Sequence, residues 1–145
     1  MIRNPRKAIG LVGCGLWGRN ILRDLISLGC RVQVADPCAE NRQSAIETGA
    51  ENAVNDVKRL GELDGYVVAT PAGTHAEVAD HLLKFLKPVF VEKPFTVDSA
   101  SAEMLASKGS NLLFVMHNWR YHAGIRMLGE IASSGEFGPV TGLHS

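Results

Sequence analysis

A chain of 145 residues is one domain's length and can bury an apolar core. Apolar residues make up 46% and charged residues 21%, with fifteen basic groups against fifteen acidic ones; no charge imbalance favours nucleic acid or an anionic membrane surface. Three cysteines without a CxxC pair argue against a disulfide framework or a metal site, and reduced thiols in a cytoplasmic protein are the expectation.

The elements alternate from one end of the chain to the other. Ala8–Val12 is a short apolar run before a glycine turn, the pattern of a buried parallel strand. Arg3, Arg6 and Lys7 ahead of it, with Cys14 behind, outline a lipoprotein leader. The apolar run is shorter than the roughly 7–15 residues of a signal core, so the strand reading is preferred. Residues 16–28 carry Ile21, Leu22, Leu25, Ile26 and Leu28 at helical spacing, stopped by Gly29. Arg31–Ala35 predicts a second strand and Ala39–Thr48 a polar-faced helix closed by Gly49.

Ala53 and Val54 suggest a short edge strand, and residues 56–60 a turn of helix. A strand over 66–69 leads into the breaker Thr70-Pro71-Ala72-Gly73. A helix over 74–86 follows, with Val78, Ala79, Leu82, Leu83 and Leu86 on one side. Val89–Val91 predicts a strand, 98–108 a helix, 112–116 a strand and 123–133 an amphipathic helix. Residues 140–143 begin something extended. No run reaches the roughly 20 apolar residues of a membrane span. Strands alternating with helices predict a doubly wound Rossmann α/β domain, with a parallel sheet of about six strands and helices on both faces.

Gly13-Cys14-Gly15-Leu16-Trp17-Gly18 lies between the first strand and the first helix. At that place a GxGxxG marks a dinucleotide site: Gly13 for the tight turn, Gly15 for backbone approach to a pyrophosphate, Gly18 for close helix packing. The helix N-terminus adds free amides and a partial positive charge. Asp36 lies 18 residues beyond Gly18, at the end of the second strand. A carboxylate there can accept hydrogen bonds from both ribose hydroxyls, or it can serve as a turn or capping residue before Pro37. It would repel a 2′-phosphate, and the nearest following cation is Arg42 on the next helix; NAD is therefore expected over NADP.

Two further motifs fall at strand carboxyl ends, where open α/β sheets bind ligands. Ala69-Thr70-Pro71-Ala72-Gly73-Thr74-His75 follows one strand, with His75 in a first helical turn, as a turn histidine or a site residue. Glu92-Lys93-Pro94 follows another. Lys93 can meet a substrate hydroxyl or pair with Glu92 on the surface, and spacing alone leaves both open.

The ordered set Gly13–Gly18, Asp36, Ala69-Thr70-Pro71 with His75, and Glu92-Lys93-Pro94 resembles the Gfo/Idh/MocA oxidoreductase family. The resemblance runs on through Arg120-Tyr121 and Gly135-Glu136-Phe137-Gly138. It implies an NAD cofactor held by Gly13, Gly15, Leu16, Trp17, Gly18, Asp36, Ala69, Thr70, Pro71, His75, Glu92, Lys93 and Arg120, with Lys93 also catalytic, beside nicotinamide and substrate. Trp17, Val89-Phe90-Val91 and His117-Asn118-Trp119-Arg120-Tyr121-His122 are similar to the branch that acts on UDP-N-acetylhexosamines. Where the family has a Gly-Lys pair before the strand, this chain has Leu86-Lys87-Pro88.

The family's second domain carries most substrate contacts and a further acid/base, so the resemblance implies a cofactor domain over 1–139 and the start of a substrate domain over 140–145. The expected protein is an NAD-dependent dehydrogenase of a sugar, cyclitol or nucleotide-sugar hydroxyl, homo-oligomeric at full length, with this part binding NAD without turning over. A stand-alone module that senses NAD(H) or mediates assembly is the alternative reading. Neither reading includes nucleic acid, a membrane or a metal.

Overall fold

The computed structural model describes residues 6–109 and 111–142. Six parallel strands form one sheet: β1 (Ala8–Val12), β2 (Arg31–Ala35), β3 (Asn52–Val54), β4 (Gly65–Val68), β5 (Val89–Val91) and β6 (Leu113–Val115). Their order is β3-β2-β1-β4-β5-β6. The direction of winding reverses between β1 and β4, the place where open α/β sheets leave a crevice at the strands' carboxyl ends.

Five α-helices connect or follow the strands: α1 (Gly18–Ser27), α2 (Ala39–Thr48), α3 (His75–Leu83), α4 (Ser99–Gly109) and α5 (Ala123–Ser134). Side chains of a strand alternate between faces, so Leu11 of β1 joins one core layer and Val12 the other. The first layer gathers Ile21 and Leu22 of α1 and Ala45 of α2 on Val32, Val34 and Val67. The second gathers Ala79 and Leu82 of α3 and Leu105 of α4 on Tyr66, Val68, Val89 and Val91. Burial of each large apolar side chain contributes about 1.5–3 kcal/mol relative to leaving it exposed.

The doubly wound architecture expected from the sequence is the one observed, and the differences are local. Leu16 and Trp17 stay in the glycine loop, because α1 starts at Gly18. Leu28 lies beyond the end of α1 and is 78% exposed, so it leaves the apolar stripe. α3 ends at Leu83; Leu86 adopts a positive φ of 54° and is exposed, which takes it off the core face. Residues 56–60 contain a 3₁₀ turn, Val57–Arg59, started by the Asp56 carboxylate accepting from the Lys58 amide at 2.9 Å. Residues 140–142 form no strand, and Leu143 lies outside the described residues.

Candidate dinucleotide and substrate cleft

The glycine loop is shaped by backbone contacts that a side chain would break. Gly13 has a φ of 88°, in the left-handed region, and its amide donates to the Ala35 carbonyl at 2.8 Å. A Cβ on Gly13 would lie 2.6 Å from the Ala69 carbonyl oxygen, and one on Gly18 would strike the Gly13 carbonyl oxygen. Gly15 differs: a Cβ there meets no atom within 4 Å, and the residue lines a cleft. The two outer glycines thus fit the protein to itself, and the middle one leaves room beside the cleft. No side-chain hydrogen bond caps the N-terminus of α1; its Arg19 amide donates to the Gly15 carbonyl at 3.1 Å and its Asn20 amide to the Trp17 carbonyl at 3.0 Å. The positive end of the helix dipole faces the loop.

That cleft holds about 690 Å³ and runs along the carboxyl ends of β1, β2 and β4. Gly13, Gly15, Leu16, Trp17, Asp36, Ala69, Thr70 and Pro71 all line it. Sequence reasoning missed its other polar wall, made by Asn41, Asn55, Asp56 and Thr74. Asn41 lies in the first turn of the helix that follows Asp36, a local signal that could have been read; Asn55 and Asp56 reach the cleft only through the folding of the edge strand.

Asp36 is buried at 5% exposure, and its carboxylate is held from several sides. One oxygen accepts from the Cys14 amide at 2.7 Å and the other from the Cys38 amide at 2.8 Å. The Asn41 amide approaches both oxygens at 3.2 Å. The turn role and the cleft position, left as alternatives by the sequence, therefore coexist. Two cations come nearer than chain order suggested. Arg42 donates to the carbonyls of Asp36 and Pro37 at 2.9 and 2.8 Å, and Arg19 reaches the Asn41 side-chain oxygen at 3.0 Å. Neither arginine lines the cleft.

A smaller cleft of about 250 Å³ continues from the first, sharing Trp17, Ala69 and Thr70 and adding Glu92, Lys93 and Asn118. Lys93 is exposed, and its ammonium makes no ion pair among the described residues. Glu92 is not its surface partner. It is 6% exposed, accepting from the Trp17 indole Nε1 at 2.6 Å and from the Lys93 amide at 3.1 Å.

His75 and Arg120 lie away from both clefts. His75 is 1% exposed, with Nδ1 2.8 Å from the Pro94 carbonyl and Nε2 2.8 Å from the Thr70 carbonyl. It joins the two loops from beneath, because α3 starts under them. Arg120 sits exposed in the 3₁₀ turn Asn118–Tyr121, and only Asn118 of that turn reaches a cleft. Burial, then the Asp36 carboxylate, push the Cys14 thiol above its ordinary value, with Arg19 opposing. Cys14, fully buried in the first core layer, is therefore a packing group. No cluster of metal-ligating side chains occurs among the described residues, and none of their helices is long and apolar enough to cross a membrane.

A loop of this geometry, opening on a cleft that ends at a carboxylate, is what a dinucleotide-binding sheet presents. The family model for the Gfo/Idh/MocA oxidoreductases, described as having an NAD-binding Rossmann fold, matches residues 7–117. The chain belongs to this family. It is 30% identical over 149 residues to an inositol 2-dehydrogenase of Gluconacetobacter diazotrophicus, covering 94% of this chain and 44% of that protein. It is 31% identical to a UDP-N-acetylglucosamine 3-dehydrogenase of Acidithiobacillus ferrooxidans, covering 82% of this chain and 39% of that one. The crystal structure of the WlbA dehydrogenase from Bordetella pertussis, in complex with NADH and UDP-GlcNAcA, superposes with a TM-score of 0.80 at 25% identity. That match covers 92% of this chain and 43% of the other. The chain thus spans less than half the length of these relatives, and its fold is that of an NAD-binding oxidoreductase domain.

Proposed function

We propose that this chain is the cofactor-holding part of an NAD-dependent dehydrogenase of a sugar, cyclitol or nucleotide-sugar hydroxyl. The observation that carries this reading is continuity. Two clefts join at Trp17, Ala69 and Thr70, with a buried carboxylate toward one end and an unpaired lysine at the other. A dinucleotide laid along them would place its adenosine ribose at Asp36, its pyrophosphate on Gly15 and the start of α1, and its nicotinamide end toward Lys93. The open space at Gly15 fits such a group, since a side chain there would project where the backbone must approach a phosphate.

Bound NAD would supply the hydride acceptor. The residues of this chain do the rest at their own atoms. Asp36 orients the ribose hydroxyls, the positive end of the α1 dipole attracts the pyrophosphate, and the Lys93 ammonium polarises a substrate hydroxyl or holds its proton. That these relatives are dehydrogenases of inositol and of UDP-N-acetylglucosamine supports a polyhydroxylated substrate at Lys93. The length of those relatives supports a further domain that completes the substrate site. On that basis the 145-residue chain should bind NAD and show no measurable turnover.

Calorimetric titration of the chain with NAD and NADP tests the assignment. NAD should bind more tightly, because the carboxylate lining the cleft opposes a 2′-phosphate, while Arg19 and Arg42 donate to the Asn41 side chain and to the Asp36 and Pro37 carbonyls and do not line the cleft. Equal or tighter NADP binding would remove Asp36 from the ribose role.

A further inference from the structure

We infer that the Trp17 indole and the Glu92 carboxylate form a strut that positions Lys93, so that Trp17 governs binding at the Lys93 end of the cleft. The inference rests on the proposed cofactor placement and adds to it a positioning role for two residues. Trp17 is 53% exposed and belongs to neither apolar cluster, so its ring is not there to fill the core. Its polar edge has a specific partner instead. Nε1 donates to Glu92 at 2.6 Å, across 75 residues of sequence, and ties the glycine loop to the end of β5.

Glu92 passes that restraint to Lys93. Its second carboxylate oxygen accepts from the backbone amide of Lys93 at 3.1 Å. A carboxylate at 6% exposure needs such donors, because burying one without partners is costly. On the other side of Lys93, the Pro94 carbonyl is held 2.8 Å from the His75 ring. The backbone is therefore fixed on both flanks while the ammonium stays free in the smaller cleft. Holding a reactive side chain by its backbone limits where its charge can be, which is how a supporting residue improves a site.

Trp17→Phe keeps an aromatic ring, smaller than the indole, and removes the donor, and two ligands read the effect. NADH spans both clefts, whereas ADP carries only the adenosine and pyrophosphate portion. Titrated into the 145-residue chain, NADH should bind about tenfold more weakly to Trp17→Phe, the scale of a lost hydrogen bond to a charged acceptor. ADP should lose less than NADH, since the missing donor bonds Glu92 in the smaller cleft, although the ring also borders the larger one. The melting temperature should fall modestly, because the buried Glu92 carboxylate loses one of its two donors. Glu92→Gln, which keeps an acceptor for the indole, should fall between wild type and Trp17→Phe. Equal losses for NADH and ADP would overturn the strut and make Trp17 a plain wall of the cleft. No loss for either ligand would overturn it as well. Failure of the wild-type chain to bind either ligand is a different result, because it removes the cofactor reading itself.

Discussion

The two halves of the sheet are built to different standards. In the half made of β1 to β3, α1 and α2 cover one face, and the site is made of backbone and buried side chains that hold one another. Gly13 bonds Ala35, and Asp36 bonds Cys14 and Cys38. In the half made of β4 to β6, α3 and α4 cover one face only. On the other face Phe90 and Phe114 stack at 4.9 Å, 40% and 43% exposed, and α5 lies exposed along its length. The difference shows a division of labour. The end of the cleft that would anchor a cofactor is assembled locally and packed tightly. The end bearing Lys93 is assembled from distant loops and left open.

The largest effect is expected at the Lys93 end. In a full-length enzyme, Lys93→Ala should reduce turnover by about 10²–10⁴-fold, the usual scale for a positioned proton-transfer group. NAD affinity and melting temperature should change little, because the ammonium makes no ion pair among the described residues. A steady-state assay beside a thermal melt separates the two; normal turnover, or a much lower melt, would make Lys93 structural. Gly18→Ala attacks the anchoring half, driving a Cβ into the Gly13 carbonyl. It should cost about 1–3 kcal/mol by denaturant unfolding, as overpacked sites do, and should weaken NAD binding in parallel.

A second pair of variants measures the coverage of one sheet face in each half. Leu22 of α1 is fully buried against the sheet, whereas Phe90 shares an open apolar depression with Ile21, Leu25 and Met116. Leu22→Ala should cost about 2–5 kcal/mol, the range for a buried leucine. Phe90→Ala should stay well below the roughly 3–5 kcal/mol of a buried phenylalanine. Comparable losses in chemical denaturation would mean that Phe90 is covered in solution.

The smallest effect is a pH dependence from Cys14. Its thiol is raised above 9.0 chiefly by burial, so the native chain holds the proton more tightly than the unfolded one. The stability it contributes is intact below pH 9.0 and is lost as the pH rises from there through the higher native value. Thermal melts between neutral and alkaline pH should show that decline, and Cys14→Ala should lack it.

The sequence by itself determined the architecture and the first half of the site. Short apolar runs bounded by turn residues, and apolar positions at helical spacing, decided the alternation of strands and helices, because strands buried on both faces and helices buried on one must lie together. The glycine spacing decided the loop, because Gly13 and Gly18 sit where any Cβ meets backbone. Asp36 was legible for the same local reason, at the end of a strand beside that loop. Tertiary structure alone decided the second half. No spacing rule pairs Trp17 with Glu92, sets His75 beneath two loops rather than in the cleft, or brings Asn118 to the cleft while leaving Arg120 outside. Those placements depend on how β4, β5 and the turn after β6 lie side by side. Hydrogen bonds between residues far apart in the chain have no local pattern to betray them, because their geometry exists only once the sheet has formed.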